Sequence, residues 1–143
     1  SVSRATSRAD CKAGRTARKL LEDARATVVR TFNLGARDIV VFTSGATEAN
    51  NLALRGSRME RLVVSAIEHP SVLETARTSG LAVDILPVLP SGVIDIAALE
   101  KLLIGNTQQT LISVMLVNNE TGVIQPLDQV VALARKHGAL VHT

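Results

Sequence analysis

Short runs of consecutive apolar, often β-branched residues alternate along this chain with segments whose apolar residues recur three or four positions apart. The runs are Asp38-Ile-Val-Val-Phe42, Arg61-Leu-Val-Val-Ser-Ala66, Ala82-Val-Asp-Ile-Leu86, Thr110-Leu-Ile-Ser-Val-Met-Leu-Val117 and Ala139-Leu-Val-His142. Continuous runs of this length read as strands covered on both faces, the usual setting of a parallel sheet. The first helical segment is Gly14–Arg30, where Ala17, Leu21, Ala24 and Val28 form one stripe among Arg15, Arg18, Lys19, Glu22, Asp23 and Arg25. The alternation predicts an α/β fold of βα units around a mostly parallel sheet, with no sequence repeat behind it.

Three helices carry readable ends. Asp95 precedes the stripe Ile96, Leu99, Leu102 and Leu103, and Gly105 follows it, an N-cap and a glycine just past the C-terminus. Pro126 opens a helix with Leu127, Val130, Val131 and Ala134 on one face, closed by Lys136, His137 and Gly138. At His69-Pro70-Ser71 the proline suits a first turn, and Ser71 with Glu74 has the spacing of a capping box. Residues 1–13 show no period and read as an irregular basic arm, which leaves 14–143 as the folded part.

Composition narrows the class. The chain has 143 residues, 46% apolar and 20% charged, which fits a globular domain and excludes disordered and fibrous types. No run approaches the ~18 apolar residues of a membrane span, and the N-terminus has no apolar signal region, so no membrane association is expected. The single cysteine, Cys11, excludes an internal disulfide framework and suits a reducing compartment, the cytoplasm by default. The missing initiator Met points to processing or a fragment. Residues 1–37 hold nine Lys/Arg against three Asp/Glu, so the basic character is local. Two Phe with no Trp or Tyr offer little for stacking bases, and a solvated basic helix explains the charge without nucleic acid.

The candidate chemistry gathers at strand ends. Thr43-Ser-Gly-Ala-Thr-Glu48 follows one expected strand and opens a helix, placing free N–H groups and hydroxyls where an anion is favoured. It is no P-loop, and taken alone the six residues read first as a capped helix start with no ligand. His69, also at a strand-to-helix turn, has the means to stack on a planar cofactor or move a proton, or simply to cap the helix. Asn118-Asn119-Glu120-Thr121-Gly122 offers two amides and a carboxylate, or an ordinary turn. His142-Thr143 ends the last run on the same edge. No metal site is indicated. Four successive strand ends with small and polar residues point to a cofactor edge.

Together, Thr-Ser-Gly-Ala-Thr-Glu-Ala-Asn-Asn (43–51), Glu-His-Pro-Ser-Val-Leu (68–73), Asn-Asn-Glu-Thr-Gly (118–122) and Val-His-Thr (141–143) resemble the cysteine desulfurases over about residues 14–143. These are pyridoxal-phosphate enzymes of fold-type I and the class V aminotransferase architecture. The resemblance implies part of the large domain of a homodimeric enzyme that takes sulfur from L-cysteine. Alanine and an enzyme persulfide result, and the sulfur passes to an acceptor protein for iron–sulfur cluster or other thio-cofactor synthesis. It implies that Ala46 and Thr47 hold the cofactor phosphate, that His69 stacks on its ring and is a candidate acid/base, and that Asn119 contacts the phenolic oxygen.

By the same resemblance, the Asp that pairs with the pyridinium nitrogen would follow Thr143. The lysine that anchors the cofactor and the cysteine nucleophile would lie further on. Neither Cys11 nor any lysine here matches those motifs, so no residue of the segment is assigned a certain catalytic role and the segment alone is expected to be inactive. Residues 1–13 depart from the family's usual N-terminal segment. Two alternatives stand beside this reading: another class V enzyme, such as a selenocysteine lyase or an aminotransferase, and a non-catalytic interaction module on the same scaffold.

Overall fold

The computed structural model describes residues 12–143, so Cys11 and most of the expected arm lie outside the described residues. The described residues divide into two compact units, 12–42 and 43–143.

In the first unit, α1 runs Lys12–Thr31, so Lys12 and Ala13, placed in the arm by the sequence, already belong to the helix. The expected strand 38–42 is not formed. No strand pairs with it among the described residues, and Ile39 is 84% exposed. Two of its backbone groups find local partners: Asp38 N–H donates to the Gly35 carbonyl, and the Val40 carbonyl accepts from a side chain. Arg25 Nη1 donates to the Val40 carbonyl, and the guanidinium lies 5.3 Å from the Phe42 ring centroid, within cation–π range. An apolar run becomes a strand only where a neighbour takes its N–H and C=O groups, and this segment has none in its unit.

The second unit contains α2 (Ala46–Gly56), β1 (Arg61–Ser65), α3 (Pro70–Arg77), β2 (Ala82–Leu86), α4 (Ile96–Leu103), β3 (Thr110–Ser113), α5 (Leu127–His137) and β4 (Leu140–His142). The strands form one sheet in the order β2-β1-β3-β4, with every neighbouring pair parallel. Alternation along β1 splits its side chains between two cores. Leu62 and Val64 meet Leu54, Val72, Ala76 and Leu111, while Val63 joins Ile112, Leu99, Leu103, Val130 and Ala134. Helices α2 and α3 therefore cover one face and α4 and α5 the other, the coverage that the continuous apolar runs require. No described helix is long and apolar enough to cross a membrane.

The ends of α4 and α5 are as read. Asp95 Oδ1 accepts from Ala98 N–H at 3.0 Å, and Gly105 and Gly138 take positive φ values of 72° and 68° past the two C-termini. Two readings are corrected. The capping box expected of Ser71 and Glu74 does not form: the N-cap of α3 is His69, the capping alternative read for that residue, and Glu74 pairs with Arg77 at 2.6 Å. The run 110–117 is a strand only to Ser113. Beyond it Val117 bridges antiparallel to Ile124, because Asn118 and Gly122, at φ 72°, fold 118–122 into a tight loop.

Candidate functional site

The order β2-β1-β3-β4 has a consequence for where a ligand fits. From β1 the chain passes through α3 to β2 on one side, and from β3 through α5 to β4 on the other. The loops after β1 and β3 therefore diverge, and open α/β sheets bind ligands in the crevice so formed at the strands' C-terminal ends. A cleft of about 320 Å³ lies there, lined by residues 66–70 from one loop and 118–121 from the other.

Two buried side chains tie these loops together. Glu68 Oε1 accepts from Ser65 Oγ at 2.7 Å and from Met115 N–H at 2.5 Å, joining the β1 loop to the end of β3. Asn118 Nδ2 donates to the Ile67 carbonyl at 3.2 Å. Its Oδ1 accepts from Glu120 N–H, Thr121 N–H and Thr121 Oγ at 3.0, 2.9 and 3.1 Å. Asn118 thus sets the shape of the loop that carries Asn119. Further along the edge, His142 Nδ1 lies 2.9 Å from Ser113 Oγ. Burial pushes the His142 imidazole below its ordinary pKa, with the Glu68 carboxylate opposing that shift.

His69 and Asn119, fifty positions apart in sequence, line the same cleft. Both are exposed and present polar groups to it. His69 is also the helix cap, its Nδ1 accepting from Ser71 N–H at 3.1 Å, so the capping and ligand-facing readings of this residue coexist.

Ala46 and Thr47 are not among the residues lining the cleft. They open α2, whose first backbone bond runs from Ala49 N–H to the Gly45 carbonyl, leaving the preceding N–H groups without intrahelical acceptors. A Cβ built on Gly45 would meet no atom within 4 Å, so the space beside this helix start is open. Ser44 does not contribute its hydroxyl there. Its N–H and Oγ both donate to Glu48 Oε2, at 2.8 and 2.6 Å, and these bonds hold the Glu48 carboxyl below its ordinary pKa. The sequence reading missed Glu68 and Asn118 as braces. Both stood inside the quoted motifs, but only the β1–β3 pairing shows which backbone groups they reach.

Comparison with known proteins places the chain among relatives. The family described as Aminotransferase class-V matches residues 2–143. A cysteine desulfurase IscS of Rickettsia felis is 36% identical over 139 residues, covering 91% of this chain and 33% of the relative. The structure of a NifS-like protein from Rickettsia africae superposes with a TM-score of 0.85 at 29% identity, over 93% of this chain and 38% of that one. A structure of SspA in complex with cysteine gives a TM-score of 0.64 at 35% identity, over 72% and 32%. The chain spans about a third of the length of the curated relatives it matches.

Proposed function

The chain belongs to the class V aminotransferase family, and on that footing we propose that it forms part of a pyridoxal-phosphate-dependent cysteine desulfurase and contributes one side of the cofactor pocket. The observation that carries the proposal is the cleft between the β1 and β3 loops, where folding brings His69 and Asn119 together. The names of the similar proteins, one a cysteine desulfurase, one NifS-like and one solved with cysteine, support the substrate class.

The residues present fit the cofactor. The uncommitted N–H groups at the start of α2, with the Thr47 hydroxyl, suit a phosphate beside open space, and a helix N-terminus favours an anion by about 0.3–1 kcal/mol even when exposed. The His69 imidazole offers a flat face to a planar ring, and the Asn119 amide is able to donate to a phenolic oxygen. Bound there, pyridoxal phosphate supplies the electron sink for breaking bonds on an amino-acid substrate. The protein's share is to bind and orient. Glu68 and Asn118 hold the two loops at a fixed separation, and the Glu48–Ser44 bonds fix the turn that presents Ala46 and Thr47.

In this reading the longer enzyme acts in the cytoplasm as a homodimer, converts L-cysteine to L-alanine, and passes a persulfide sulfur to an acceptor protein. The 143 residues alone do not turn over. The test is to add pyridoxal phosphate to the purified chain and follow cofactor absorbance, with cysteine supplied and sulfide measured. Cofactor retention that weakens in Thr47→Ala and His69→Ala, with no sulfide released, is the expected result. Retention indifferent to both substitutions would sink the assignment of the site, and sulfide release would sink the expectation of inactivity.

A further inference from the structure

Two hydrogen bonds in series link His69 to α2 through the Ser71 hydroxyl, beside a third, from Ser71 N–H, that is all a helix cap requires. Ser71 N–H donates to His69 Nδ1 at 3.1 Å, which completes the cap. A backbone N–H has no lone pair to offer, so Nδ1 is the acceptor and the proton of the neutral ring sits on Nε2. Ser71 Oγ lies 2.8 Å from the same nitrogen. With Nδ1 fixed as acceptor, this hydroxyl also donates. The hydroxyl oxygen in turn accepts from Asn50 Nδ2 at 2.8 Å, across 21 positions of sequence. Asn50 stands on α2 one turn beyond Ala46 and Thr47, so the bonds join the helix start to the turn that carries His69.

We infer that Asn50 and Ser71 are positioning residues: a directed relay, Asn50 amide to Ser71 hydroxyl to His69 Nδ1, holds the imidazole as its Nε2–H tautomer at the wall of the cleft. The inference deepens the site reading given above and rests on it for its functional meaning. A ligand entering the cleft meets a ring whose orientation is set and whose far nitrogen is a hydrogen-bond donor. That nitrogen has no protein partner among the described residues, and an acceptor oxygen on the ligand matches it. The relay also ties the two parts of the site, the α2 start and the His69 ring, into one unit. Both intermediate side chains are half-buried, so the hydroxyl is partly shielded from competing water.

The experiment is nitrogen NMR of the His69 ring in the intact chain, at about pH 8, above the ordinary imidazole range. We expect a single tautomer with Nε2 protonated and Nδ1 a hydrogen-bonded acceptor. Ser71→Ala removes the hydroxyl and should move the Nδ1 resonance toward that of a free lone pair. Asn50→Asp accepts the hydroxyl proton instead of donating to the oxygen and should shift Nδ1 in the same direction. Ser71→Thr should restore the native value. Two tautomers in the unaltered chain, or an Nδ1 resonance indifferent to Ser71→Ala and Asn50→Asp, overturns the proposal. Should Ser71→Ala fail to fold, Asn50→Asp carries the test alone, because the cap bond from Ser71 N–H by itself already gives the Nε2–H tautomer: an Nδ1 resonance unmoved in Asn50→Asp overturns the relay. Adding pyridoxal phosphate reads the site assignment separately: no change at His69 ring protons counts against that assignment and leaves the tautomer result standing.

Discussion

Two segments of this chain carry nearly the same message and meet opposite fates. Asp38-Ile-Val-Val-Phe42 and Arg61-Leu-Val-Val-Ser65 each centre on paired valines flanked by a charge. The second is a strand buried at every position, paired on one side to β2 and on the other to β3, with helices over both faces. The first is unpaired in its unit, with Ile39 84% and Val41 61% exposed. Local pattern is common to both; what differs is supply of backbone partners and covering side chains. The comparison separates what an apolar run permits from what its neighbours enforce.

The sharpest way to break that contrast is truncation at matched positions. Leu62→Ala deletes a fully buried side chain and is expected to cost about 2–5 kcal/mol. Ile39→Ala should change stability by no more than about 0.5 kcal/mol, as for other exposed sites. Denaturant midpoints measure both. A loss at Ile39 comparable to that at Leu62 would mean that the exposed run is covered in solution, and the contrast between the two segments would fail.

The same contrast explains what was legible in the sequence. Strands β1, β2 and β4 follow from composition because each finds a parallel partner in the sheet, although the edge strands β2 and β4 are only partly covered, and the ends of α4 and α5 follow from Asp95, Gly105 and Gly138 because caps depend on a few adjacent residues. The overlong run at 110–117 misled because Met115, Leu116 and Val117 have strand composition while the Asn118 turn draws them out of the ladder. That His69 and Asn119 stand on one edge was readable from the order of strand ends. That Glu68 and Asn118 are the ties between them was not, since their partners, Met115 N–H and the Ile67 carbonyl, lie about fifty positions away. The cap of α3 was legible only in part: His69 was one cap candidate beside a Ser71–Glu74 capping box, and the observed Nδ1 bond selects His69.

Polar ties extend the comparison to the loops beyond each run. The tie after β1 is a buried carboxylate, whereas the exposed run is tied by the half-buried Arg25. Glu68→Ala leaves the Met115 N–H and the Ser65 hydroxyl without their acceptor, and a buried unsatisfied group costs about 1–3 kcal/mol. Arg25→Ala should cost less, since the Val40 carbonyl it releases is only part-buried. Equal losses in thermal unfolding would show that the two ties differ in appearance only. A smaller effect is expected at the rim of the β1 face covered by α4, where Asp95→Ala removes the cap bond to Ala98 N–H for about 1 kcal/mol, restored in part by Asp95→Asn.

The smallest expected effect is a pH dependence at the β4 edge of the sheet. Burial lowers the His142 pKa in the folded protein relative to the ordinary value of about 6.5 in the unfolded chain. As pH falls through 6.5 the unfolded chain takes up this proton first, so stability declines with falling pH until the folded value is reached and is flat below it. Glu68 opposes the shift by favouring the imidazolium. Glu68→Gln keeps an oxygen for Ser65 and Met115 but removes the charge, so His142 should titrate lower still and the window of declining stability should extend to more acid pH. Proton NMR titration of His142 in the two chains reads the sign directly. A His142 that titrates higher in Glu68→Gln would show that the carboxylate acts on it through the shape of the edge rather than through its charge.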